Sequence, residues 1–417
     1  MSSTRRTFLK TGALAAGGLF VTVELTRTVF RKKVVFQPNA YIGITPDNVV
    51  SLWITRSEMG QGVHTMLPMM LIEELEVDLS QVRLEQAMPG GPFKTIRLRT
   101  SGSGSTVGTY QRLRKAGATA RVMLIAAAAE KWGVTPSSCR AEKGTVVHVA
   151  TDRRLTYGEL ASAASKLKIP ENPPLKAAKD FRVIGRSTMR TDGPAIVTGQ
   201  ARYGIDVKVP GMLYAVMERC PCLGGKLAKF DATQALAMPG VRHVVPVTGG
   251  IATGVAVVAD HTWAAMKGRE ALHVDWDLGP NQSFDSEDFL KQMRDQLAQK
   301  SDGYFVRGDG DAKKAMASAA KRVEATYEFP FQAHAPVETM NCVADVRKDR
   351  CEIWAPTQCP EVVQADTAKM LGLPEDAIKV HITLLGGGFG RRLFADYVPE
   401  AVEVSRHWQA GADVVDA

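Results

Sequence analysis

Three short segments carry residue types from which a site for an anion or a cofactor could be built. The first is 386–392, GGGFGRR, which follows a segment whose apolar residues alternate from Ile378 to Leu384 as in a strand. Such a turn exposes backbone N–H groups that can converge on an anion, and Arg391 and Arg392 add positive charge. The run matches neither the dinucleotide fingerprint nor the P-loop, because an arginine takes the third glycine position and the P-loop lysine is missing. A simple tight turn remains the alternative.

The other two segments each contain a glutamine. In 58–65, EMGQGVHT, glycines flank Gln61, whose amide both donates and accepts hydrogen bonds. Such a loop suits the edge of a heterocycle or an oxo group, and a glycine-rich helix entry is the alternative. The third segment, 354–358 with the sequence WAPTQ, ends a predicted strand just before a predicted helix.

Several other chemistries have no support in the sequence. His334 and Glu338 are four residues apart, but Pro336 prevents a regular helix from presenting both to a metal. HExxH and the GxSxG nucleophile elbow are missing, which disfavours a hydrolase. The six cysteines have neither iron–sulfur spacing nor the density of a disulfide framework. If the chain handles electrons, it must pass them to another protein.

Length and charge restrict the class of protein further. A chain of 417 residues is long enough for about two to four domains, and 45% hydrophobic with 23% charged residues is typical of globular proteins. The net charge is +8, but residues 1–33 alone hold seven basic residues and one acidic residue. The remainder is almost neutral, so no nucleic-acid partner is expected.

The N-terminal 33 residues have the pattern of an export signal. STRRTFLK precedes a weakly apolar stretch at 11–23, which as a helix would span about 20 Å, short of the roughly 30 Å of a membrane core. Paired arginines before this stretch resemble a twin-arginine signal, which predicts a periplasmic location. No clear Ala-x-Ala site precedes Val34, so an uncleaved leader could act as an anchor. A frayed basic N-terminus is the alternative.

The elements that must position the three segments fall into three regions. In the first, the sequence predicts a β-hairpin at 41–54, helices at 67–77 and 110–132, and a strand at 146–149, before a proline-rich linker at 170–174.

Region 195–280 has short strands between glycine and proline turns, which predicts a compact α+β domain. Its predicted strands are 203–207, 212–217, 241–247, 254–258 and 272–275, and its predicted helices are 230–237 and 262–270. After a polar connector, the third region is predicted to contain strands 323–329, 342–347, 351–355 and 378–385, helix 360–371 and a helix from about residue 395.

With these segments in this order, the chain resembles the large subunit of a molybdenum hydroxylase, the family of xanthine dehydrogenase and aldehyde oxidase, in its isoquinoline 1-oxidoreductase β-subunit branch. The stretch VTGQARYGID at 197–206 resembles that family's a/b hammerhead domain, and 354–391 resembles the start of its molybdopterin-binding region. The loop 58–65 resembles a pterin-contacting motif.

The resemblance covers nearly all of 40–406 and implies a multidomain α+β fold with incomplete molybdopterin-binding α/β domains. Its expected parts are an export signal at 1–33, a molybdopterin-binding segment at 34–180, the hammerhead domain at 190–280, a connector at 281–320 and a truncated first molybdopterin-binding domain at 321–417.

The resemblance also implies roles for individual residues. Gln358 would hydrogen-bond towards the molybdenum oxo ligand, and Phe389 would shape the substrate pocket. The residues that would hold the pterin, its phosphate or the metal centre are Met59, Gly60, Gln61, Gln358, Gly388, Phe389, Gly390 and Arg391. Molybdenum itself would be held by the pterin dithiolene, with no protein side chain as a metal ligand.

The implied function is hydroxylation of aldehydes or N-heteroaromatic compounds with water as the oxygen source. Electrons would pass to iron–sulfur clusters on a separate small subunit, and a cytochrome is a candidate acceptor. A cytosine dinucleotide form of the molybdenum pterin is expected from the bacterial branch, and the cofactor would carry the redox chemistry.

Family members are considerably longer, and their general-base glutamate lies beyond anything in this chain. After Arg406 the sequence resembles foreign or out-of-frame residues, so we expect a truncated subunit that lacks this base and exposes apolar surface. The alternatives are a non-catalytic fragment of such a subunit and an unrelated exported binding protein with glycine-rich loops.

Overall fold

The computed structural model describes residues 33–250, 253–299, 303–304 and 306–409. Nearly all of the predicted leader and the last eight residues of the foreign-looking tail therefore lie outside the described part. The chain divides into two compact units. The first holds residues up to 203 with 357–361 and 382–385, and the second holds 204–356, 362–381 and the residues from 386 onward. The mixed helix-and-sheet class predicted from the sequence is confirmed.

The first unit is built on a four-stranded sheet. Its strands, in spatial order, are β1 (Phe36–Asn39), β2 (Ile42–Ile44), β3 (Val50–Ile54) and β4 (Val82–Gln86). β2 and β3 pair antiparallel and confirm the predicted hairpin, whereas β3 and β4 pair parallel because a helix connects them. The helices are α1 (Val63–Leu75), α2 (Tyr110–Trp132), α3 (Tyr157–Ala164) and α4 (Gly193–Val197). A second, antiparallel sheet contains β5 (Cys139–Glu142), β6 (Thr145–His148) and β7 (Arg154–Thr156).

Helix α2 has the bounds that the sequence predicts. Gly133 ends it in a left-handed conformation, with φ of 65°. α2 packs closely on α1 at Gly117, where a Cβ atom would lie 2.4 Å from the carbonyl oxygen of Leu71. A glycine in mid-helix therefore allows this approach, although it weakens the isolated helix.

Helix α1 differs from the prediction because it begins four residues earlier, at Val63. Gly62 precedes it with φ of 87°, and Pro68 lies inside the helix. Pro68 has no N–H group for the carbonyl of His64, and the hydroxyl of Thr191 donates to that carbonyl instead, at 3.1 Å. A long-range contact thus compensates for a residue that locally predicts a later helix start.

A buried glutamate on α1, Glu73, binds the segment that follows α3. Glu73 accepts hydrogen bonds from the Nζ of Lys176 and from the backbone N–H groups of Arg182, Val183 and Ile184. Since this segment forms no strand and only one short 3-10 turn, Glu73 supplies acceptors that its backbone would otherwise lack.

Stability is expected to depend on the ionisation of Glu73. Burial raises its pKa, but the hydrogen bonds from Lys176 and the three backbone N–H groups outweigh burial, and the pKa lies below its usual range. Such a group stabilises the fold above its unfolded pKa of about 4.3, and this contribution is lost as pH falls through the folded pKa. We expect Glu73→Gln to flatten the fall in unfolding free energy below about pH 4.3. Urea titrations of both proteins from neutral to acidic pH measure this, and superimposable profiles would contradict it.

The described residues of the second unit form three small sheets. Its strands are β8 (Tyr214–Arg219), β9 (Lys226–Asp231), β10 (Val241–Val247), β11 (Gly254–Ala259), β12 (His273–Asp277), β13 (Val343–Val346), β14 (Cys351–Ala355) and β15 (Ile378–Ile382). The spatial orders are β10-β11-β8, β12-β9 and β13-β14-β15. Its helices are α5 (Thr233–Leu236), α6 (Thr262–Glu270), α7 (Ser286–Ala298), α8 (Ala312–Ser318), α9 (Pro360–Leu371) and α10 (Tyr397–Gln409).

Two predictions for this unit are wrong, and a third is correct only in part. Residues 203–207 form a 3-10 turn at Gly204–Asp206 rather than a strand, and a Cβ on Gly204 would lie 2.6 Å from the ring of Pro356. The predicted helix 230–237 is confirmed only at Thr233–Leu236, the short α5, because residues 230–231 end strand β9. Residues 323–329 alternate in polarity, yet they form no strand, and Val323, Tyr327 and Phe329 are exposed. Alternation shows that a segment suits a strand, but only a neighbouring edge can satisfy its backbone groups.

No helix in the described ranges combines the length and the apolar character needed to cross a membrane.

Candidate functional site

The loop between β3 and α1 surrounds a carboxylate of its own. Glu58 is 3% exposed and accepts the N–H groups of Gly60, Gly62 and His64, each at 2.9 Å. Gly60 and Gly62 have φ of 104° and 87°, which turns these groups inward, and a Cβ at either position would meet nothing within 4 Å. The two glycines are therefore needed for backbone conformation and not for space.

Residues 190–192 hold this loop from outside. Arg190 donates to the carbonyl of Gly60 at 2.7 Å and lies 3.4 Å from Glu58. Its guanidinium also pairs with Asp192, and this hydrogen bond lowers the pKa of Asp192 despite partial burial. The sequence predictions included Met59, Gly60 and Gln61 but missed Glu58 and Arg190 as the residues that hold them.

A short hydrogen-bond chain joins the two candidate glutamines within the first unit. The Nε2 of Gln61 donates to the carbonyl of Ser57 at 2.9 Å, and the N–H of Ser57 donates to the hydroxyl of Thr100 at 2.9 Å. The Nε2 of Gln358 donates to the carbonyl of Thr100 at 2.9 Å, and the N–H of Thr100 donates to the carbonyl of Gln358 at 2.8 Å. Gln358 is 2% exposed, so its side chain has a fixed orientation. The structure thus brings together two residues that are almost 300 positions apart.

Arginines next to this chain form a positively charged group that sequence reasoning missed. Arg56 is buried, and its guanidinium donates to the carbonyls of Thr55 and Arg97. Burial lowers its pKa, and the neighbouring Arg97 and Arg112 lower it further. The Nε of Arg99 is buried without a hydrogen-bond partner in the described part of the chain. The signal in the sequence that could have indicated this group was the high density of arginines just before and after the loop 101–105.

In the second unit, a buried ion pair supports the glycine run. Glu338 accepts the N–H of Gly386 at 2.8 Å and that of Ile205 at 3.0 Å. Arg392 is 0% exposed and donates to the carbonyl of Gly387 at 2.9 Å and to the carboxylate of Glu338 at 3.1 Å. Gly386 has no room for a side chain, because a Cβ there would lie 2.4 Å from the Cβ of Glu338.

The glycine run presents Phe389 to solvent. Phe389 is 68% exposed with φ of 53°, a left-handed conformation that costs energy for a residue with a side chain. It follows Gly388, which is buried, and precedes Gly390, whose φ is 91°. Arg391 pairs with Asp396 at 2.6 Å, and this hydrogen bond raises the pKa of Arg391. The two adjacent arginines therefore serve different purposes.

Within the described residues, no group of three or more histidine, cysteine, aspartate or glutamate side chains is arranged to hold a metal ion. Glu338, which lies four residues from His334 in the sequence, binds backbone N–H groups and Arg392.

Comparison with known proteins gives consistent matches over most of the chain. A model of the molybdopterin cofactor-binding domain matches residues 5–209, and a second model with the same description matches residues 295–411. The beta subunit of isoquinoline 1-oxidoreductase from Brevundimonas diminuta is 32% identical over 88% of this chain and 53% of its own length. The membrane-bound aldehyde dehydrogenase [pyrroloquinoline-quinone] of Gluconacetobacter polyoxogenes is 31% identical over 89% of this chain and 49% of its own. One subunit of the nicotinate dehydrogenase of Pseudomonas putida is 30% identical over 88% of this chain and 31% of its own. The chain thus spans about half the length, or less, of these relatives.

Proposed function

The chain belongs to the molybdenum hydroxylase large-subunit family, and we propose that it is the molybdopterin-binding part of an oxidoreductase that hydroxylates aldehydes or N-heteroaromatic compounds with water as the oxygen source. The observation that carries this proposal is the hydrogen-bond chain from Gln61 through Ser57 and Thr100 to Gln358. It places two amide side chains of separate sequence motifs in one unit.

The residues of the first unit fit an anionic organic cofactor in the chemistry of their donor groups. Arg56 is a buried cation beside two further arginines, and the unpartnered Nε of Arg99 is a donor suited to an acceptor on a ligand. When bound, a molybdenum pterin supplies the two-electron redox chemistry of the reaction.

The protein's own contribution is binding and orientation. Gln358 would present its amide, held by Thr100, to a polar group at the metal centre, and the arginines would bind the anionic end of the pterin. Phe389 would limit the shape of the substrate site with its exposed ring. Met59, Gly60 and Gln61 complete the cofactor-binding set proposed for the first unit, and Gly388, Gly390 and Arg391 are the residues proposed for cofactor binding in the second unit.

Partners and location extend the proposal. We infer that electrons leave through an iron–sulfur small subunit, with a cytochrome as the final acceptor, and that the pterin carries a cytosine nucleotide. Two of the relatives are themselves single subunits of their enzymes, which supports an enzyme of several subunits here. The paired arginines Arg5 and Arg6 before an apolar stretch support twin-arginine export to the periplasm.

The decisive experiment is metal and pterin analysis of the full chain, purified from bacteria with and without molybdopterin synthesis and co-expressed with an iron–sulfur subunit. Near-stoichiometric molybdenum with dye-coupled oxidation of an aldehyde or N-heteroaromatic substrate is the expected result. Cofactor without turnover would favour the alternative of a chain that binds the cofactor but is not catalytic. If the purified chain contains no cofactor and shows no turnover, the proposal is refuted.

Location is tested separately by cell fractionation. The chain is expected in the periplasmic or membrane fraction, and the variant with Arg5→Lys and Arg6→Lys is expected to stay in the cytoplasm. The same fractionation for both proteins would refute twin-arginine export.

A further inference from the structure

The loop from Glu58 to His64 has the geometry of an anion-binding backbone nest, but its anion is part of the chain. Three inward N–H groups, at the alternate residues Gly60, Gly62 and His64, could bind a phosphate or carboxylate from solution. Here Oε1 of Glu58 accepts two of them and Oε2 accepts the third. The carboxylate is buried, so it belongs to the loop's internal structure.

The burial of this carboxylate is compensated on two sides. The three N–H groups solvate it from the loop, and Arg190 approaches it from outside while also holding the carbonyl of Gly60. A buried charge with this many partners is costly to leave incomplete, because each lost partner exposes an unsatisfied group.

We propose that Glu58 is a positioning residue that fixes the Gly60–Gly62 turn and thereby the cofactor-facing side of Gln61. This proposal rests on the proposed function. The side chain of Gln61 spans this turn, since its Oε1 accepts the N–H of Met59 at 2.7 Å and its Nε2 donates to the carbonyl of Ser57. Glu58 therefore acts through the loop, and it binds neither substrate nor cofactor itself.

The substitution Glu58→Gln tests this role with almost no change in volume. Glutamine offers one acceptor oxygen, and its amide nitrogen would face at least one backbone N–H group, donor against donor. We expect pterin content per chain, measured as fluorescent pterin released by oxidation, to fall at least about tenfold. Glu58→Asp keeps the negative charge and is expected to recover part of that content.

Glu403→Gln is the matched control in the second unit. Glu403 is 6% exposed and accepts the N–H groups of Thr248 at 3.0 Å and Gly249 at 2.7 Å, so it is also a buried carboxylate that binds a glycine-containing loop. We expect Glu403→Gln to lower thermal stability to a similar degree while pterin content stays at the wild-type level. Equal pterin loss in both variants, or unchanged pterin content in Glu58→Gln, would overturn the proposal.

Hydrogen exchange on the pterin-free chain separates this proposal from the proposed function. In Glu58→Gln, the N–H groups of Gly60, Gly62 and His64 are expected to exchange at least about tenfold faster than in wild type. If wild type contains no pterin but these groups lose protection, the proposed function fails and the positioning of the loop by Glu58 stands. If their protection is unchanged, the positioning role is refuted whatever the pterin content.

Discussion

Replacing Glu338 by alanine is expected to lower the free energy of unfolding by about 3–5 kcal/mol, the usual cost of removing one partner from a buried ion pair. Arg392 is fully buried and would keep its charge without a carboxylate. The N–H groups of Gly386 and Ile205 would also lose their acceptor. The glycine run would then lose its support, and with it the fixed placement of Phe389.

Urea denaturation of wild type and variant measures this loss. Glu328→Ala is the control, because Glu328 pairs with Arg294 at the surface and its removal is expected to leave the free energy of unfolding close to that of wild type. Adding Arg392→Met to Glu338→Ala is expected to recover part of the stability, since no uncompensated charge remains. A loss below about 1 kcal/mol in Glu338→Ala would show that the pair does not hold the turn.

A loss of similar size, about 3–5 kcal/mol, is expected for Glu74→Ala in the first unit. The carboxylate of Glu74 is inaccessible to solvent and pairs with Arg114 at 2.7 Å and Arg121 at 3.0 Å. It also accepts the backbone N–H of Lys176. Removing it leaves two nearly buried guanidinium groups and releases one attachment of the segment that follows α3.

Limited proteolysis gives a second measurement for Glu74→Ala. Cleavage near residues 174–176 is expected to become faster than in wild type, because Arg121, which holds the carbonyl of Pro174, loses its carboxylate partner. Glu142→Ala, which removes only a surface pair with Arg140, is the control and is expected to behave like wild type. If both variants unfold and are cleaved alike, the Glu74 cluster is not the attachment that the contacts indicate.

Local sequence signals were sufficient where the forces are local. Helix α2 is rich in alanine and stops at a glycine, and both its bounds follow from these features. The hairpin of β2 and β3 follows from alternation around a Pro-Asp-Asn turn. The family followed from several motifs in their order along the chain, including Gln358 and the run 386–392.

The candidate site was predicted in part for the same reason. Glycines and glutamines are conspicuous in a sequence, whereas Glu58 and Glu338 have no special local pattern. Their role depends on which N–H groups the folded backbone turns towards them. For Glu338, one of those groups belongs to Ile205, more than 130 residues away. Such contacts are set by packing and cannot be inferred from neighbours in the chain.

Arg391 and Arg392 show what the sequence determined and what the tertiary structure decided. From the sequence, both are cations after a glycine run and suit an anion equally. In the structure, Arg391 pairs with Asp396, while Arg392 is buried against Glu338 and the carbonyl of Gly387. The alternation at 323–329 likewise predicted a strand that does not form. The sequence determines which groups need a partner, and the tertiary structure decides which partner each receives, because burial makes an unpaired charge or N–H group too costly to keep.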